Sequence, residues 1–388
     1  MTGCGVQIRV FVHAEAEGIE ALAPEWAALE ARCPEATGFQ NFDWCAVWLR
    51  EAAWREEPLR PRVVTVREAE RLVMLWPLQV ETRFGATIAR WIGEPMTQYG
   101  DALAEPGAGR SRWRAAAEAE MARWRDVDLV ALTRLRADGV VSASGAAIRF
   151  CESAVSAPFL DLRAGGCARR HKSVERRARR LERLGPLSFE ESLDPAARES
   201  AARRALAMKR AWLDEKGLMS VGLSAPTTGD FLAGAARAGV LRVHVLRVGG
   251  EPAAIDLGLC GGGFYRLLLV AYDPRFAQGS PGQVLTARLI ERCAALGLSG
   301  FDLLAPADPY KFMWAGAAVA MGERYAPRTL KGRAAAFALA RLRPLAKRAV
   351  KRVVKALASR VGAAPGEVKA IPAPVPALKP IPLSRQML

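Results

Sequence analysis

One order of elements occurs twice in these 388 residues, and that repeat restricts the fold more than any other feature. In the first half, Arg62–Arg67 and Arg71–Val80 read as a hairpin of β-rich apolar strands. A strand near 88–92, a helix over 110–125 and a strand over 127–135 follow. In the second half, Leu241–Val248 and Ala253–Leu259 flank a Gly249-Gly250 turn, and Phe264–Ala271 supplies the next strand. A helix over Gln283–Leu296 and a strand over Gly300–Leu304 complete the set. Local residues repeat with the order. Gln98-Tyr99-Gly100-Asp101 stands where Ala271-Tyr272-Asp273 stands, and the run from Asp126 (DVDLVAL) stands where that from Gly300 (GFDLLA) stands. Shared order with shared residues indicates an internal duplication. The expected fold class is α+β (α/β), as two tandem copies, each a mixed central sheet flanked by helices.

The remaining segments fit around this repeat. Residues 6–12 alternate as a strand, 18–32 read as one helix, and Phe39–Trp44 lead into another. Between the copies, Val174, Ala178, Leu181 and Leu184 form the apolar stripe of a helix whose outer face is heavily basic. Leu187–Ser192 alternates like a strand, and a long helix is expected over 195–216. The divisions that result are 1–160 for the first copy, a degenerate one, 161–327 for the second, 328–361 for a basic helical segment and 362–388 for a Pro-rich tail.

Charge separates the body from its end. The formal net charge is +16, yet residues 328–360 hold 11 Lys/Arg and no Asp/Glu, while 1–327 hold 42 basic against 39 acidic residues. Lys347, Lys351 and Lys355 share one stripe of a helix over 345–358, with Leu345, Ala349, Val353 and Leu357 on another. Such a helix suits an anionic membrane surface or a synthase partner. Without aromatic interleaving it does not suit single-stranded nucleic acid, so nucleic acid is not an expected partner of the tail. The first 20 residues lack a signal-peptide pattern and no apolar run is long enough to span a bilayer, so the expected location is cytoplasmic, at most peripheral to the inner membrane face. Seven cysteines without a C-x-x-C pair read as reduced thiols, and three histidines make a His-based metal site unlikely, so no metal is expected. No G-x-S-x-G elbow or Walker loop is present.

The segments AYDPRFAQGSPGQVL (271–285), FDLL (301–304) and PYKFMW (309–314) resemble, as an ordered set, the GNAT-superfamily acetyltransferases of the BioF2-like type associated with cellulose and exopolysaccharide biosynthesis. The layout is also similar to the Fem peptidyl transferases, which are twin GNAT folds using aminoacyl-tRNA. The resemblance covers about residues 35–325 and implies two tandem GNAT-like domains with the donor site in the second. It implies an acyltransferase that moves an acetyl group from acetyl-CoA to a hydroxyl or amine of a sugar or exopolysaccharide precursor. Two other readings stand beside it. One is aminoacyl-tRNA-dependent transfer, with the basic helix over 168–184 on tRNA, and the other is a non-catalytic accessory of a membrane-bound polysaccharide synthase.

Backbone amides at a helix amino terminus favour an anion, which makes the strand-to-helix loop the expected site of the donor pyrophosphate. The candidate donor-binding residues are Gln278, Gly279, Ser280, Gly282 and Gln283, with Gly279 and Gly282 expected to supply positive φ. Acyl transfer also needs a base and a proton donor. Asp273 is a candidate base or acceptor-orienting group, and Asp256, inside an apolar strand, is a second base. Tyr272 and Tyr310 are candidate proton donors, Lys311 a candidate stabiliser of developing charge, and Asp302 the group expected to orient Lys311.

Overall fold

A computed structural model describes residues 7–52, 59–83, 85–142, 155–163 and 172–342. The strands are β1 (Ile8–His13), β2 (Arg60–Glu68), β3 (Arg71–Arg83), β4 (Ala86–Trp91), β5 (Leu103–Ala104), β6 (Leu129–Arg136) and β7 (Ser156–Asp161). They continue with β8 (Leu187–Glu191), β9 (Arg242–Val248), β10 (Glu251–Gly261), β11 (Phe264–Tyr272), β12 (Gly300–Asp302) and β13 (Ala317–Pro327). The helices are α1 (Ala16–Glu20), α2 (Ala23–Ala31), α3 (Phe42–Ala52), α4 (Arg110–Ala122), α5 (Lys172–Glu182) and α6 (Pro195–Glu215). After them come α7 (Val221–Ser224), α8 (Thr228–Arg237), α9 (Pro281–Ala295) and α10 (Leu330–Phe337).

The duplication appears in the hydrogen bonding. The sheet runs β1-β2-β3-β4-β6-β13-β7-β12-β11-β10-β9-β8, with β5 paired to β3 alone. β1 to β4 pair antiparallel and β4 pairs parallel with β6. β8 to β11 repeat this, and β11 pairs parallel with β12. The last strand of each set crosses to the other. β7 follows the first set and pairs with β12, whereas β13 follows the second set and pairs with β6. β7 and β13 meet antiparallel at the centre, Ser156 facing Ala320 and Phe159 facing Ala317. Neither strand is expected from the sequence, because Pro158 argues against an interior strand and β13 opens on small residues. The Pro158 carbonyl nevertheless accepts from the Leu303 amide at 2.9 Å.

Period-two alternation assigns the strand side chains to two layers. Leu246, Val248, Ala254 and Phe301 pack under α5 and α9, against Leu181, Val284, Leu285 and Leu289. Val243, Val245, Ile255, Leu257 and Leu269 point the other way, into a cluster shared with α2, α3, α6 and α8. That cluster includes Trp26, Trp44 and Trp48 from the first half and Leu206 and Phe231 from the second. The Phe231 ring is edge-on to Trp44 at 4.7 Å and to Trp48 at 4.9 Å. In the first half, α4 covers the opposite face, with Trp113 and Met121 against Val64, Val66, Trp76 and Trp91.

Local chemistry sets the helix ends. Asp194 caps α6, its carboxylate accepting from the Ala197 amide at 2.7 Å, with Pro195 at the first position. The single helix expected over 18–32 is broken at Ala21–Leu22 into α1 and α2. In the basic helix α5, Val174, Ala178 and Leu181 are buried, but Leu184 lies beyond its end and is 59% exposed. Residues past Leu342, including the basic helix over 345–358 and the tail over 362–388, lie outside the described residues.

Because Phe231 joins α3 of one half to α8 of the other, Phe231→Ala should cost about 3–5 kcal/mol. Urea titrations followed by tryptophan fluorescence and by far-UV circular dichroism should give coincident, earlier midpoints. Loss of one signal well before the other would show that the halves do not share one core.

Candidate functional site

Two parallel strands pair briefly and then part. β11 and β12 are in register from Phe264–Gly300 to Arg266–Asp302, where β12 ends while β11 continues to Tyr272. A cavity of about 540 Å³ opens in this gap. Leu267 to Val270 and Tyr272 form one wall and Leu303 to Ala305 the other. α9 contributes Gly282, Gln283 and Thr286, preceded by Ser280. On the opposite face of the sheet, α6 contributes Lys209, and Ser220, Gly222 and Leu223 lie beside it. The first half closes that side with Pro95, Met96, Gln98 and Arg134. The cavity therefore passes through the sheet, from the α9 layer to the α6 layer.

Backbone conformation marks the same place. Five described non-glycine residues have positive φ. Ala69 and Glu70 form the β2–β3 turn, whereas Arg134 (φ 59°), Ser280 (φ 49°) and Leu304 (φ 58°) all line the cavity. Left-handed backbone at non-glycine residues is held only where surrounding structure enforces it. Ser280, rather than Gly279 or Gly282, supplies the left-handed turn that starts α9, which corrects the expectation for the two glycines. Gly279 has another use, since a Cβ there would stand 2.2 Å from Leu181 Cδ2. Gln278 is exposed and is not part of the cavity lining, and its carbonyl accepts from Arg180 Nη1 at 2.9 Å. α5 thus holds the loop that presents α9.

Of the residues singled out in the sequence, Tyr272, Ser280, Gly282, Gln283, Tyr310 and Lys311 meet in the cavity lining. Lys311 is buried, its Nζ donating to the Leu304 and Pro306 carbonyls at 2.9 Å each, with Asp308 Oδ2 at 3.8 Å. Burial lowers its pKa, and the neighbouring Lys209 ammonium adds to the lowering. Tyr310, 58% exposed, stands at the rim. The Gln283 Oε1 atom is buried without a hydrogen-bond partner among the described residues.

The three carboxylates expected at the site are elsewhere. Asp273 caps the turn Pro274–Gly279, accepting from the Arg275 amide at 2.9 Å and from the Arg275 guanidinium. That pairing holds its carboxyl below the ordinary range. Asp302 does not orient Lys311. Its Oδ1 accepts from Tyr99 Oη at 2.7 Å and from the Leu304 amide at 2.8 Å, and its Oδ2 from Arg136 Nη1 at 2.9 Å. It ties the second half to the first at the point where β11 and β12 part. Asp256 is fully buried under the α9 layer, bonded by Tyr265 Oη, with His244 Nδ1 3.3 Å away. Burial raises its pKa. Tyr99 and Asp101, the counterparts of Tyr272 and Asp273, are also buried, and Asp101 accepts from the amides of Ala102, Val140 and Val141.

Sequence reasoning missed Lys209 and Arg134. Arg134 lies in the first half and Lys209 in an amphipathic helix, so no local pattern links them to the loop at 278–283. Arg134, Lys209 and Lys311 are the charged residues of the lining, which contains no carboxylate or histidine among the described residues. Nor does any group of three or more His, Cys, Asp or Glu among the described residues have the arrangement of a metal site. No described helix is long and apolar enough to cross a membrane.

Residues 168–312 match the family model of the acetyltransferase (GNAT) domain. The chain is similar in structure to FemX, with a TM-score of 0.60 at 9% identity, covering 86% of this chain and 99% of that one. It is also similar to L-PGS from Bacillus licheniformis, with a TM-score of 0.53 at 13% identity over 87% of this chain and 97% of that one. The C-terminal domain of a putative lysylphosphatidylglycerol synthetase from Agrobacterium fabrum gives 0.51 at 13% identity, over 82% and 97% of the two chains. No curated protein matches the sequence. Residues 168–312 thus match a GNAT acetyltransferase domain, and the chain as a whole has a GNAT/Fem-like fold built from two similar sets of strands.

If Asp273 is a cap, Asp273→Ala should lower stability by about 1 kcal/mol and leave ligand binding in the cavity unchanged. Its lowered native pKa adds stability that is present above the unfolded value and lost as pH falls through the folded one. The difference between wild type and variant in urea should therefore shrink on acidification. A variant as stable as wild type but unable to bind would return Asp273 to the site.

Proposed function

We propose that this protein transfers an acyl group, in the first instance acetyl from acetyl-CoA, to a hydroxyl or amine of a sugar or exopolysaccharide precursor. The observation that carries this reading is the cavity that crosses the sheet, because two substrates approaching from opposite faces can meet inside it. On the α9 side, the first turn of the helix offers the Gly282 amide and the positive end of its dipole to a pyrophosphate, since Pro281 has no N–H and the Ser280 and Gln283 amides donate to the Ala277 and Ser280 carbonyls. The unpaired Gln283 Oε1 supplies a buried acceptor for a donor amide N–H, which fits a pantetheine arm. Gly282 leaves the space above this turn free of a side chain, with Val270 as its nearest neighbour.

The residues at the centre divide the chemistry. Two N–H groups of Lys311 are held by carbonyls, which fixes the ammonium and leaves its third to donate to an oxyanion. Tyr310, at the rim, holds a proton for the departing thiolate, and Tyr272 lies across the gap on β11. The sugar or polysaccharide acceptor follows from the resemblance carried by residues 271–285, 301–304 and 309–314. The aminoacyl-tRNA reading draws on the likeness to FemX and on α5, whose arginine face adjoins the donor loop through Arg180. It predicts RNA binding with a steep salt dependence and no affinity for CoA.

Calorimetric titration with acetyl-CoA separates the two. Wild type should bind, and Gly282→Trp, which fills the cavity above α9, should not. Lys311→Met should keep donor affinity within a few fold and lower the transfer rate by about 10²–10³. A folded wild-type protein with no affinity for acetyl-CoA contradicts the acetyl-CoA reading.

A further inference from the structure

The α6 side of the cavity is cationic, and its lining contains no carboxylate among the described residues. Lys209 Nζ lies over the Trp212 ring, 4.4 Å from its centre, and makes no hydrogen bond or ion pair among the described residues. Burial lowers the Lys209 pKa, and Lys311 is near enough for the Lys209 charge to lower that of Lys311 as well. Asp308 is the acid that opposes both shifts, and its side chain is 48% exposed. Lys311 is committed to two carbonyls, and Arg134 Nη1 donates to the Thr97 carbonyl at 2.8 Å from its left-handed position on β6. Collecting cations in a partly desolvated cavity is unfavourable by itself and becomes favourable when an anion joins them.

The place of this charge separates it from the donor loop. α6 packs on one layer of the sheet and α9 on the other. A donor pyrophosphate at Ser280–Gln283 and an anion at Lys209 would occupy opposite ends of the cavity. We infer that the cavity holds a second, acceptor-side anion site, formed by Lys209 with Arg134, and that the acceptor carries a phosphate or a carboxylate beside the hydroxyl or amine that is acylated. A phosphorylated or uronic sugar has this chemistry and a neutral sugar does not. The word acceptor rests on the transferase reading, whereas the anion site itself does not.

The test uses the full chain and two probes, inorganic pyrophosphate and succinate, titrated by calorimetry with and without saturating coenzyme A. At least one probe should bind in both conditions. Lys209→Met, which keeps the stem of the side chain, should weaken that binding tenfold or more and leave coenzyme A affinity unchanged. Preference for pyrophosphate or for succinate tells phosphate from carboxylate. The inference is overturned if neither probe binds, if Lys209→Met binds them like wild type, or if coenzyme A displaces them. Displacement would assign these cations to the donor. Lys209→Gln provides a second variant should Lys209→Met fail to fold. Lys209-dependent binding of a probe without coenzyme A binding would retire the acetyl-CoA reading and leave the anion site standing.

Discussion

Everything at the site depends on where β11 and β12 stop being neighbours. Three paired positions hold the strands together, and the gap beyond them is the cavity. The last pair is Arg266–Asp302, and both side chains are buried. Asp302 is fixed by Tyr99 and Arg136, both from the first half. Burial brings the Arg266 pKa down to about 10, with Asp302 opposing the shift and Arg136 adding to it. The first half thus acts on the second through a charged contact at the branch of the sheet. A buried carboxylate of this kind is tolerable only because each oxygen has donors.

The same interdependence appears at larger scale. Each half gives its last strand to the other, and the largest apolar cluster draws residues from both. A cavity wall made by Pro95, Met96, Gln98 and Arg134 therefore comes with the fold. One end of the cavity is built by α9 and α5, the opposite end by α6 and the first half.

What the sequence revealed, and what it hid, follows from the range of the interactions. Hairpins, α6 and α9 are local objects, written in alternation, Gly249-Gly250, and the Asp194-Pro195 cap, and they were legible. The duplication was legible because order and residues repeat together. β7 and β13 were not, because Pro158 and a run of alanines give no strand signal and long-range pairing makes them strands. One ordered motif in the sequence names Ser280, Gly282, Gln283, Tyr310 and Lys311, which line one cavity in the fold. Asp273 caps a turn, which the sequence does not reveal because an Asp before Pro looks the same whether it caps a turn or faces a substrate. The surroundings of Asp256 and Asp302 were hidden because their partners, Tyr265 with His244 and Tyr99 with Arg136, lie on other strands or in the other half. Lys209 and Arg134 were hidden for the same reason, since only the fold brings them to one cavity.

The most direct measurement is a crystal structure of the full chain with desulfo-CoA, a donor analogue that cannot react. The account predicts the pyrophosphate at the amino terminus of α9, on the Gly282 amide, and the pantetheine arm between β11 and residues 303–305, reaching toward Lys311. Nucleotide bound against α6, or on the basic face of α5 with the gap between β11 and β12 empty, would contradict it.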